Sequence, residues 1–247
     1  MHQSNHKECL NCGYELGGNY CPNCGQSTSI HRITFRETIK DFFSSTFALE
    51  GPLLSTIKLL IVNPGKLFRE FIGGKRKAYY KPVAFFVVLT AVLIIVRAVI
   101  GYDPFQEQPQ MKSESVQEKA RVLIDAGKFM VKHINHIMFF LVISIGLVSK
   151  LFFSKKYNLA EYVTIGFYIS GIYILVGVVQ MIVSVYITYI TPQYNMILLF
   201  LYIIYASTSF HQKKSFLAVF KYVFMSLTAI LLYVVLGFGF SFLMVWV

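Results

Sequence analysis

The stretch VAFFVVLTAVLIIVRAVI, residues 83–100, decides the fold class. It is long enough to cross bilayer hydrocarbon as a helix and carries one charge, Arg97, near its end. The rest of the chain matches it: 247 residues are 55% hydrophobic and 16% aromatic, with mean hydropathy +0.58, which excludes an ordinary soluble domain.

Four further apolar stretches follow. Residues 136–153 are interrupted only by Lys150, which sits where a long side chain can snorkel. Residues 162–190 are long enough to span with tilt, 196–210 are the shortest, and 222–247 close the chain. The expected fold is an all-α membrane bundle of about five transmembrane helices over residues 83–247, although 196–210 suit a tilted or interfacial helix equally well. Gly166 with Ser170, and Gly237 with Ser241, have the small-xxx-small spacing that lets helices approach closely.

The formal charge of +11 is placed as a membrane topology would place it. Residues 1–82 hold 11 Lys and Arg against 6 acids; Lys155, Lys156, Lys213 and Lys214 mark the alternate loops. Residues 101–135 balance 5 bases with 5 acids, and the turn at 191–195 has no charge. The positive-inside bias predicts a cytosolic N-terminus and an outer C-terminus. No basic-then-apolar leader with a small-residue cleavage site occupies the first 30 residues, so no cleavable signal peptide is expected.

Upstream of the first span, residues 33–49 place Phe35, Ile39, Phe42 and Phe43 at helical spacing, predicting an amphipathic helix. Two shorter helices are expected around residues 53–62 and 67–72, separated by the break at Pro64. Within the juxtamembrane segment 31–82, Lys75, Arg76, Lys77 and Lys81 are expected to meet anionic headgroups. Whether the helices lie on the inner leaflet or pack on the bundle is open from sequence. On the outer side, within 103–135, residues 113–132 read as a charged amphipathic helix.

The N-terminal module, residues 1–30, contains all four cysteines as two Cys-x-x-Cys pairs: Cys9 with Cys12 and Cys21 with Cys24. Four thiolates close a tetrahedral site, with Zn2+ the expected ion and iron the alternative that uses the same ligands. Gly13 and Gly25 follow the second cysteine of each pair, where the chain turns sharply. YELGGNY, residues 14–20, predicts a minimal β-hairpin between the knuckles, with Gly17, Gly18 and Asn19 at the turn and Tyr14 and Tyr20 beside it. The module is expected to be a zinc ribbon that folds only with its metal. A closed four-cysteine shell leaves no position for substrate, so the metal is expected to be structural.

TIKLLIVNPGKLFREFIGGKRKAYYKP, residues 56–82, resembles the signature of a family of bacterial membrane proteins, the domain of unknown function numbered 3667. That family has a CxxCG...CPxCGQ ribbon, a T-[LI]-K-x-L segment, a proline-glycine turn and a G-K-R-x-x-Y-x-x-P run, met here by Gly74, Lys75, Arg76, Tyr79 and Pro82. YNLAEYVTIGFY, residues 157–168, is similar to its acidic helix entry, with Tyr162 where the family usually has histidine. The resemblance implies an architecture and no activity.

No acid-base or nucleophile constellation is visible, so no catalytic residue is assigned and the protein is expected not to be an enzyme. Arg97, Glu161 and Gln180 are the intramembrane polar candidates. Glu161 suits the positive end of a helix, and Arg97 either snorkels or contacts an anion or lipid headgroup. His133 and His136 share a helical face but supply only two ligands. The function expected is a membrane scaffold or adaptor whose ribbon recruits an unidentified protein partner; the alternative is a small-molecule or lipid permease. Membrane lipids are expected partners and a homo-oligomer is compatible with the sequence. Nucleic acid is disfavoured, because the strongest basic cluster directly precedes a span. A polar cavity at Gln180 and Arg97 would favour transport, and a sealed bundle the adaptor.

Overall fold

Prolines, asparagines and glycines set the helix boundaries. The computed structural model describes residues 7–36, 52–103, 105, 118–191, 193–213 and 215–246. Helix α1, Leu53–Val62, stops at Asn63, whose side-chain oxygen accepts from the Lys66 N–H and so caps α2, Pro64–Ile72. Helix α3, Pro82–Ile100, starts on a proline, whose missing N–H has no partner to lose there, and ends at Gly101 in the left-handed region, φ 62°. Helices α4, Glu118–Lys132, and α5, Ile134–Phe152, follow almost without a break. Helix α6, Leu159–Tyr186, opens with a capping box between Asn158 and Glu161; α7, Gln193–His211, and α8, Phe216–Trp246, complete the chain.

Four of these helices, α3, α5, α6 and α8, are long and apolar enough to cross a membrane. The chain is accordingly a helical membrane protein. Four of the expected spans are met; α7, over the expected 196–210, has 19 residues but is less apolar than those four. Its polar side chains are the reason. Tyr202 donates to the Leu60 carbonyl at 3.0 Å, and Tyr205 to those of Ile61 and Val62 at 3.2 and 2.6 Å. Part of α7 therefore serves the open carbonyls at the end of α1 instead of facing lipid. By position it is nonetheless a bundle helix, running from Asn195 beside Gly177 at one end to Ser209 beside Gly65 at the other.

Helix α6 is central, with α3 and α5 packed along it; α8 lies on α5, α4 on α8, and α7 between α8 and α2. Close approach uses the small residues: a Cβ on Gly166 would come within 2.8 Å of the Val142 carbonyl of α5, and one on Gly237 within 2.8 Å of Ile137. Tyr168, fully buried on α6, is ringed by Phe68, Phe71 and Phe85 at 5.7 to 6.1 Å and donates to the Tyr80 carbonyl at 2.6 Å.

The two short helices resolve the choice left open by sequence. Leu67, Phe68 and Phe71 of α2 are buried in the bundle core, and Arg69 holds the last carbonyls of α7, donating to Ser209 at 2.5 Å and Phe210 at 3.0 Å. Helix α1 buries Thr56 and Leu60 while Leu54, Ile61 and Val62 stay exposed, an apolar face suited to lipid. From residue 37 on, the amphipathic helix expected over 33–49 lies outside the described residues, as do residues 113–117 of the expected outer helix.

Candidate metal centre and its seat on the bundle

Each knuckle builds itself. The Cys9 N–H donates to the Tyr14 carbonyl and the Gly13 N–H to that of Cys9; the second knuckle repeats this with Cys21, Gln26 and Gly25, all four bonds at 2.8 Å. Gly13 and Gly25 take φ 75° and 69°, where a side chain would be strained. The expected hairpin between the knuckles is a correction: no strand forms among the described residues. Pairing falls within each knuckle instead, as isolated antiparallel bridges Glu8–Glu15 and Tyr20–Ser27. A chain that must fold back twice around sulfur spends its pairing groups inside each turn, and Gly17 to Asn19 only link the two. Thr28 closes that link through Asn19 and Gly18.

The four Sγ atoms lie within 4.8 Å of one another, with Cys9 to Cys24 and Cys12 to Cys21 both at 3.6 Å, and no disulfide joins them. A tetrahedral ion with metal–sulfur distances of about 2.3 Å needs sulfurs roughly 3.8 Å apart. The donor set therefore fits one such ion. Cys9 and Cys21 are buried and Cys12 is exposed. The Tyr14 N–H brings the Cys12 thiol down to about 6, and burial pushes that of Cys24 up to about 11, so metal uptake must displace protons.

The ribbon is seated on the bundle by side chains that sequence reasoning did not single out. Gln26, buried, donates to the Gly74 carbonyl at 3.0 Å, and its own carbonyl accepts from the Arg76 and Lys77 N–H groups, both at 3.1 Å. Asn11 accepts from the Ala78 N–H at 2.9 Å. Gly74 takes φ 108° directly under Leu10 and Ile30, where a Cβ would come within 2.7 and 2.9 Å of their side chains. The CGQ and GKR motifs are thus two halves of one contact. The signal available was the amide directly after the last knuckle, since a buried amide must find partners on both its atoms.

A second seat joins the ribbon's exit to α6. Arg32 donates through Nε and an Nη to the two carboxylate oxygens of Glu161 at 3.0 and 2.7 Å, while Asn158 donates to the Ile33 carbonyl at 3.1 Å. Glu161 also caps α6 by accepting from the Asn158 N–H at 2.7 Å. The expected helix-end role is observed, together with this added one.

The remaining candidates are dispersed. Lys75 pairs with Glu70 at 3.1 Å, Arg76 reaches the His31 carbonyl at 2.5 Å, Lys77 is exposed, and Lys81 is half-buried beside Pro82. Glu70 accepts from the Tyr79 hydroxyl, and this bond, helped by Lys75, holds its carboxyl below the usual range. At the opposite end, Arg97 donates to the Lys132 carbonyl at 3.0 Å and Gln180 to those of Ile190 and Thr191, both at 3.0 Å. Both line a cavity of about 110 Å3. His133 stacks on Phe129 at 4.0 Å and lies 6.4 Å from His136, ring to ring, with no third ligand among the described residues.

Residues 50–94 match the family model described as Protein of unknown function (DUF3667). The match covers α1, α2, the GKR run and α3 as far as Ile94. No curated protein and no solved structure matches the chain.

Proposed function

We propose that this protein is a non-enzymatic scaffold or adaptor of the bacterial inner membrane, whose zinc ribbon presents a rigid cytosolic surface to a protein partner. The observation that carries this reading is the double seat of the ribbon, through Gln26 on Gly74 and Arg32 on Glu161, which leaves Tyr14 and Tyr20 52% and 67% exposed. Exposed aromatic side chains on a metal-stiffened frame lose little entropy on meeting a partner. Zinc is the proposed ion because four closed thiolates suit it, and metal content distinguishes it from iron. A cytosolic N-terminus and an outer C-terminus require α7 to cross with the four apolar helices. Its course along the bundle supports this, as does the basic character of residues 1–82.

The test is co-purification from mild detergent. Wild type is compared with Tyr14→Ala/Tyr20→Ala, expected to keep its metal, and with Cys21→Ser/Cys24→Ser, expected to lose it. The reading holds if one protein is retained by wild type and lost from both variants; a partner set unchanged in both contradicts it. The permease alternative rests on the cavity at Arg97 and Gln180, whose lining is mostly apolar rather than the polar cavity that would favour transport.

A further inference from the structure

Helices α3 and α5 both pack along α6. They meet through Phe86 and Phe139, whose rings are 4.9 Å apart. Toward the end remote from the ribbon, the space between them opens into the cavity of about 110 Å3. Its floor is apolar and buried: Leu93 of α3, Met138 of α5, and Ile174 and Met181 of α6. Gly177 of α6 lines it without a side chain, and a Cβ there would have only the Asn195 amide, at 3.7 Å, within 4 Å. An apolar cavity of similar size, about 150 Å3, stays dry and takes up benzene, so a few carbons of a chain fit here.

The mouth is polar. Arg97, one turn from the end of α3, is the sole charged residue among those lining the cavity. Among the described residues its side chain donates to the Lys132 carbonyl alone, which leaves guanidinium donors for an incoming anion. Asn135, three residues beyond Lys132, has a buried Oδ1 that accepts no hydrogen bond from any described residue. In an apolar surround both groups favour a ligand that brings an anionic oxygen and a hydroxyl or protonated donor.

We infer that the cavity between α3, α5 and α6 is a binding site for a single-chain anionic amphiphile, its head on Arg97 and Asn135 and the start of its chain on the Leu93–Met138 floor. The site is independent of the ribbon and of whether the protein transports anything. Arg97 lies one turn from the end of a candidate span, so a lipid anion would reach it without crossing the bilayer centre.

The test is native mass spectrometry of the full-length protein in a neutral detergent, titrated with dodecanoate, dodecyl phosphate, dodecanol and dodecyltrimethylammonium. One equivalent of either anion should bind in preference to the neutral and cationic chains. Arg97→Gln should weaken anion binding about tenfold or more and abolish the preference for charge. Gly177→Leu, which fills the cavity without touching Arg97, should weaken all the chains and keeps the test decisive if Arg97→Gln does not fold. Excess inorganic phosphate or acetate should not displace the amphiphile. Binding that ignores head charge, that survives Gly177→Leu, or that phosphate alone abolishes would overturn the inference.

Discussion

Arg32 and Glu161, 129 residues apart in sequence, meet through two hydrogen bonds of 3.0 and 2.7 Å, and the same carboxylate caps the first turn of α6. The four-cysteine module and the helix bundle therefore share a residue. The two ends of this pair are unequal: Glu161 is buried, whereas the Arg32 side chain is 63% exposed.

That inequality predicts unequal mutants. Arg32→Ala should cost about 1 kcal/mol or less, since water screens the exposed partner. Glu161→Ala also removes the carboxylate half of the capping box, its bond from the Asn158 N–H, and should cost about 1–2 kcal/mol. Thermal unfolding of the two variants in one detergent checks the order; equal losses would show that the cap contributes nothing.

Gln26→Ala leaves the Gly74 carbonyl and two N–H groups without their partner, at a cost of about 1–3 kcal/mol for each that stays buried. The metal shell is untouched by this change. Metal content should remain at one equivalent while limited proteolysis between the ribbon and α3 accelerates.

Gly74→Ala adds a methyl group under Leu10 and Ile30 at a φ of 108°, so strain and overlap act together. It should loosen the ribbon at least as much as Gln26→Ala. Gly73→Ala, one residue earlier with ordinary helical φ −68°, brings a Cβ within 2.9 Å of the Arg69 carbonyl oxygen but no backbone strain, so read by the same proteolysis it reports overlap alone.

Glu70 supplies a pH signature outside the spans. Its carboxyl is held below the usual range, chiefly by the Tyr79 hydroxyl, so its contribution is present above the unfolded value of about 4.3 and is lost as pH falls through the folded value. The difference in melting temperature between wild type and Glu70→Gln should be constant at neutral pH and shrink on acidification below about pH 4. Metal loss in acid affects both proteins and cancels in the difference.

Much of this architecture is legible in local sequence. Pro82 and Gly101 bracket α3, Asn158 and Glu161 spell a capping box, and the two Cys-x-x-Cys pairs with their glycines give the four-thiol cluster. What was not legible is pairwise and distant. Nothing near Tyr202 or Tyr205 says that their hydroxyls serve α1, and so α7 looked more like a lipid-facing span than it is. The hairpin between the knuckles failed for a local reason, because the turns around sulfur had already used the backbone groups that strands would need. Gln26 and Gly74 each belong to a recognisable motif, yet a single sequence does not reveal that the motifs meet.

Knuckles and bundle form one unit through the contacts of Gln26, Asn11 and Arg32, and a metal that folds the knuckles should hold that unit together. Amide hydrogen exchange on the full-length protein, with metal bound and after chelation, tests it most directly. The Arg76, Lys77 and Ala78 amides donate to Gln26 and Asn11, so metal removal should deprotect residues 76–78 together with the knuckles. Loss of protection confined to residues 7–30, with 76–78 unchanged, would contradict the account and make the ribbon an independent appendage.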